Sequence, residues 1–100
     1  MKGRYTIRAG GQLRGMAMVT WVEDRWLLVW LYVVPEYRRH GYGTRLLEEI
    51  VGDADTDGVD IWLVPAPGPG GMSGMQLIKW YRQYGFQLVE GEPFDMVRRP

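Results

Sequence analysis

The residues best suited to chemistry run from Val34 to Thr44, as Val-Pro-Glu-Tyr-Arg-Arg-His-Gly-Tyr-Gly-Thr. Their types suit an anion, and a phosphate in particular. A helix that starts inside this segment leaves unpaired amides pointing at a ligand, and its dipole adds positive potential. Gly41 and Gly43 allow the backbone a close approach, and Arg38 or Arg39 can offer a fork of donors. The bare spacing Arg-x-x-Gly-x-Gly is a weak signal, and a solvated basic turn is its bland alternative. Its place between an apolar strand and an amphipathic helix gives it weight. It is not a dinucleotide fingerprint, because no third glycine closes it. It is not a P-loop either, since Thr44 follows without a Gly-Lys pair.

Other chemistries are excluded by composition. With no cysteine there is no disulfide framework, thiolate nucleophile or cysteine-ligated zinc. The single histidine, His40, argues further against a metal centre, and none is expected. Asp53-Ala54-Asp55-Thr56-Asp57-Gly58 copies the opening of a calcium loop. Its twelfth position is Val64 where a bidentate carboxylate is required, so it reads as an acidic helix-to-strand turn. Twelve basic and twelve acidic residues leave no net charge. No overall field draws nucleic acid or an anionic membrane, and neither is an expected partner.

A chain of 100 residues suits one domain, expected to span 1–100. Tyr5 to Ala9 alternates and ends at a Gly10-Gly11 turn, followed by a strand from Gln12 to Val22. Trp26 to Val34 is apolar throughout, which reads as a central strand covered on both faces. Its nine residues are far short of the roughly 20 a membrane helix needs. The Met1 to Tyr5 start lacks a signal peptide's apolar stretch, so the expected location is cytoplasmic. Leu46, Leu47, Ile50, Val51 and Ala54 then recur at helical spacing, giving a helix from Tyr42 to about Asp53. Val59 to Val64 is a fourth strand, and the Gly-Pro segment 65–71 is irregular. Ser73 and Gln76 form a capping box for a second helix, stopped by Gly85. Phe86–Val89 and Phe94–Arg98 close the chain as two short strands. The fold class is α+β, one mixed sheet in the order βββ-α-β-α-ββ.

The run from Leu31 to Leu47, centred on Arg38-Arg39-His40-Gly41-Tyr42-Gly43, resembles the acetyl-CoA signature of the GNAT superfamily of N-acetyltransferases. Trp80-Tyr81-Arg82-Gln83-Tyr84-Gly85-Phe86 is similar to that family's second helix end. The resemblance implies a central strand, Trp26–Val34, splayed from Val59–Val64 to make a slot for the cosubstrate, acetyl-CoA. Amides from Arg39, His40, Gly41, Tyr42, Gly43 and Thr44 would hold the pyrophosphate, with Arg38 at the motif's first position. The backbone of Tyr32, Val33 and Val34 would pair with the pantetheine arm. An amide near Val33 would polarise the thioester carbonyl. The Tyr81 hydroxyl would protonate the departing thiolate. Trp80, Tyr84 and Trp62 read as packing residues.

The sequence departs from that family's pattern in three places. The strand and two helices with which its usual members begin are not supplied here. Val29 stands where a glutamate base is frequent, and Gly74 where an asparagine is frequent. The acceptor site is therefore expected to be open or completed by a partner chain. Deprotonation of the amine stays open among Glu23, Asp24, Asp60 and a water chain. The implied activity is acyl-CoA-dependent N-acyl transfer, most simply of acetyl to an amine. Transfer would be direct within a ternary complex, since no cysteine can carry an acyl-enzyme. The alternative is a catalytically weak module that binds coenzyme A or a partner protein. An open slot suits a protein, peptide or bulky acceptor. A homodimer is expected through the bare sheet face, with Trp21, Trp26 and Trp30 as lining candidates.

Overall fold

The computed structural model describes residues 3–66 and 72–100, the side chains of Pro93 and Phe94 excepted. Most of the expected Gly-Pro segment, 67–71, therefore lies outside the described residues. The first three strands form an antiparallel meander: β1 (Arg4–Ala9), β2 (Gln12–Val22) and β3 (Arg25–Val33). A 3₁₀ turn at Pro35–Tyr37 leads into α1 (Tyr42–Asp57). Then come β4 (Ile61–Leu63), α2 (Gly74–Arg82), β5 (Gln87–Val89) and β6 (Glu92–Arg98). They make a six-stranded mixed sheet ordered β1-β2-β3-β4-β6-β5, in which only β3 and β4 run parallel. The α+β class and the element order are as the sequence implies.

One face of the sheet carries the core. Tyr5 and Ile7, Ala17 and Val19, Trp26 and Leu28, Ile61 and Leu63, and Met96 pack there against Leu46, Leu47, Ile50 and Ala54 of α1 and Tyr81 of α2. Each large apolar side chain so buried stabilises the fold by about 1.5–3 kcal/mol. Trp26 is fully buried in this core, so it does not line the outer face as expected. The outer face is partly open, with Trp30 38% and Tyr32 45% exposed.

β3 is covered on one side only, because the core packs on a single face of the sheet, and a bulge changes which of its residues meet that core. Pairing with β2 passes from Val19–Leu28 to Met18–Trp30, leaving Val29 as an extra residue. Core-facing positions are therefore Trp26 and Leu28 before it, and Leu31 and Val33 after it. An unbroken apolar run hides this change of phase, because either parity reads as core. The outward members, Val29, Trp30 and Tyr32, stay exposed.

Other differences lie at element ends. Helix α1 runs one turn past the expected Asp53, because its stop is Gly58 in the left-handed region at φ 69°. Asp53, Asp55 and Asp57 thus sit on helix, and the calcium-loop pattern is a helix terminus. The carboxylates have structural uses. The Tyr5 hydroxyl donates to Asp53 at 2.8 Å, tying β1 to α1. Arg98 makes a fork to both Asp55 oxygens at 2.6 and 3.1 Å and donates to the Tyr84 carbonyl at 2.7 Å. Helix α2 has both bonds of its capping box, between Ser73 and Gln76. It ends in a Schellman arrangement, Phe86 N–H to Tyr81 O at 3.3 Å and Gly85 N–H to Arg82 O at 3.1 Å. Among the described residues no helix is long and apolar enough to cross a membrane.

Candidate active site

Strands β3 and β4 pair at only two positions, Trp26–Ile61 and Leu27–Trp62, before they part. The bulge at Val29 falls where they separate. The gap widens into a cleft of about 870 Å³, walled by β3, the loop after it, the start of α1, and Leu77, Trp80 and Tyr81 of α2. This is the splay that the sequence resemblance implies.

The backbone of β3 is only in part available to the cleft. The Val34 N–H is bonded to Arg14 O on β2 at 2.9 Å. Peptide groups alternate along a strand, so Leu31 and Val33 turn toward the cleft while Tyr32 and Val34 turn to β2. The Val33 carbonyl accepts from Arg38 Nε at 3.1 Å. Of the three residues expected to pair with a pantetheine arm, Val33 alone presents its backbone to the cleft. Tyr32 borders it through its side chain.

At the cleft's open end, the loop is held from below by the β1–β2 hairpin. The Arg14 guanidinium lies 3.8 Å over the Tyr37 ring and donates twice to Ala9 O, at 3.3 and 3.1 Å. The Tyr37 hydroxyl bonds to the Gln12 side chain. These contacts fix the 3₁₀ turn immediately before Arg38. Two residues of the loop then take positive φ, Arg39 at 67° and Gly41 at 80°. For an arginine this conformation costs on the order of 1–3 kcal/mol, which the surrounding contacts must offset. Gly41 is the N-cap of α1 and offers no side-chain cap, and no acid lies in the first turn. The helical ladder begins with Arg45 N–H to Gly41 O at 3.0 Å, so the amides of Tyr42, Gly43 and Thr44 have no partner within the helix. Beside them stands exposed Arg39. The donor set fits an anion.

Tyr81 lines the inner wall and is only 7% exposed. Its ring packs against Phe86 and Trp80 at centroid distances of 5.4 and 4.9 Å. Burial pushes its hydroxyl up to about 12, so it carries its proton at neutral pH.

Of the residues singled out from the sequence, Tyr32, Val33, Arg38, Arg39, Gly41, Tyr42, Gly43, Thr44 and Tyr81 border one cleft. Val34 and His40 do not. His40 is exposed, with its ring 6.3 Å from that of Tyr42. Glu23, Asp24 and Asp60 also lie outside the lining, which includes no carboxylate among the described residues. Sequence reasoning missed Arg14, whose partner Tyr37 is far away along the chain. It also placed Trp80 in packing alone, although Trp80 borders the cleft. The spacing of Gln76, Leu77, Trp80 and Tyr81 is a helical stripe that could have grouped them. Among the described residues no group of three or more His, Cys, Asp or Glu could hold a metal ion.

Comparison with known proteins agrees with this architecture. Residues 2–88 match the family described as an acetyltransferase (GNAT) domain. Over 74 residues the chain is 39% identical to a mycothiol acetyltransferase of Thermobifida fusca, covering 68% of this chain and 23% of that protein. The chain thus spans about a quarter of that relative's length. The crystal structure of the anti-CRISPR protein AcrVA5 superposes with a TM-score of 0.75 at 21% identity, covering 96% of this chain and 98% of that one. PaiA N-acetyltransferase from Thermoplasma acidophilum, solved with coenzyme A, superposes at 0.70 and 23% identity, over 93% of this chain and 57% of that one. These structural likenesses bear on the fold. The family profile, which reaches from the first strand to the fifth, settles the lineage: this chain belongs to the GNAT acetyltransferase family.

Proposed function

We propose that this domain, taken as residues 1–100, transfers an acetyl group from acetyl-CoA to an amine. The observation that carries the reading is one cleft with an anion cradle at its mouth and a protonated tyrosine on its inner wall. The amides of Tyr42 to Thr44, with Arg39, would bind the pyrophosphate. The Val33 backbone would align the pantetheine arm, and a cleft-facing amide of β3 would stabilise charge on the thioester oxygen. As the amine nitrogen bonds to the acyl carbon and the carbon–sulfur bond breaks, Tyr81 would give its proton to the leaving sulfur. The nitrogen would lose its proton to water. The absence of cysteine in the sequence supports direct transfer. The open outer face suits an acceptor presented on a peptide or protein.

The same face supports a homodimer, with exposed Trp30 toward a second copy, whereas Trp21, across from buried Trp26, turns to the opposite face from the one expected of it. Light scattering at micromolar concentration then gives twice the chain mass.

A second reading, a coenzyme A-binding module of weak activity, is favoured by Val29, which borders the cleft without any acid–base group. One experiment separates the two. Coenzyme A is expected to raise the melting temperature, and an amine panel with acetyl-CoA to give products one acetyl heavier. Stabilisation without acetylated product above background supports the binding module. No stabilisation removes both.

A further inference from the structure

We propose that a second, smaller hollow at the foot of the cleft receives the acceptor's ammonium group, with Asp95 as its charged contact. The proposal rests on the acetyl-transfer reading and names the acceptor's side of that site. The hollow holds about 170 Å³ and is bordered by Arg25, Leu27, Trp62, Leu63, Val64 and Asp95, among others. Leu63 and Val64 also border the large cleft, so the two spaces share a wall. Leu27–Trp62 is the last rung before β3 and β4 part, which places the hollow at the apex of the splay.

Asp95 precedes Met96, whose partner across the sheet is Leu63. Met96 is buried in the core, so strand alternation sets Asp95 on the outer face, beside the end of β4. Asp95 is half-buried and has no ion-pair partner among the described residues. Arg25, which also borders the hollow, lies 4.2 Å over the Trp62 ring. That ring face is taken, which leaves the carboxylate as the place where an arriving cation gains most.

Charge then runs in opposite senses along the site. The mouth, with Arg38, Arg39 and free amides, suits an anion. The foot carries one charge of each sign, Arg25 over the Trp62 ring and Asp95, and its carboxylate beside Leu27 and Trp62 suits a primary ammonium on an apolar stem. A volume of this size admits one amine-bearing side group and excludes a whole substrate. A peptide N-terminus and a lysine side chain share this chemistry. The hollow's lining does not include Trp30, the residue turned toward a second copy in the proposed dimer.

The test uses the whole chain saturated with coenzyme A. Leucinamide and Nα-acetyl-lysinamide are the probes, and N-acetyl-leucinamide is the blocked control, with binding followed by calorimetry. The Asp95→Asn variant is expected to bind the preferred amine about tenfold more weakly, the loss expected of one charge-assisted contact. Asp95→Glu should restore part of it, and coenzyme A binding should not change. The tighter of the two amines identifies the source. Equal amine affinity in wild type and Asp95→Asn overturns the proposal, as does a wild type that does not distinguish amines from the blocked control. Asp95-dependent amine binding with no acetylated product keeps the subsite and rejects the transfer reading.

Discussion

The two ends of the cleft are built in opposite ways. The mouth is made by neighbours in the chain, within 38–44, and most of what it offers a ligand is main chain: three amides and a left-handed glycine. The hollow at the foot is lined from four strands, with Val22, Leu27, Trp62 and Asp95 among the residues. A backbone site is indifferent to many side-chain changes and sensitive to conformation. A side-chain site is the reverse. The family resemblance attaches to the first kind of site, and the proposed acceptor contact belongs to the second.

Variants can break or sharpen this contrast. The largest effect is expected between the two ends, at Tyr81. Removing its hydroxyl in Tyr81→Phe should lower kcat by about a hundredfold, the lower range for a lost general acid, with coenzyme A affinity unchanged. Full turnover in that variant would remove the proposed acid. At the mouth, Gly41→Val forces a branched residue to φ near 80°. Coenzyme A should then bind about tenfold more weakly, as measured by titration, while the acceptor's KM stays constant. If Arg39→Ala costs more than Gly41→Val, the mouth is a side-chain site and the contrast fails.

The smallest effect lies away from both ends. Arg98 holds the Asp55 carboxyl below its usual range through their hydrogen bonds. A depressed acid stabilises the folded state above its unfolded pKa, and that gain is lost as pH falls through the folded value. Asp55→Asn should therefore cost less than about 1 kcal/mol at neutral pH, given the exposure of the pair. In thermal melts the gap to wild type should close below about pH 4.

What could be read from the sequence follows the same division. The loop, the capping box at Ser73 and the Gly85 stop are local, since residues a few places apart decide them. The element order came from periodicity for the same reason. The bulge at Val29 could not be read, because it is a relation between β3 and β2 that an all-apolar run does not mark. Nor could the Arg14–Tyr37 stack, whose residues meet only when the hairpin folds back under the loop. Asp95 looked like one surface acid among twelve, and pairing of β6 with β4 is what brings it to the apex.

The extra residue in β3 makes the strand's length matter more than its spelling at that point. Val29 is 48% exposed and nothing in the core depends on its side chain, so most replacements there leave the packing intact. Deleting it is another matter. The bulge itself would go: Trp30 and Tyr32 would still face out and Leu31 and Val33 in, but β3 would lose its bend where it parts from β4.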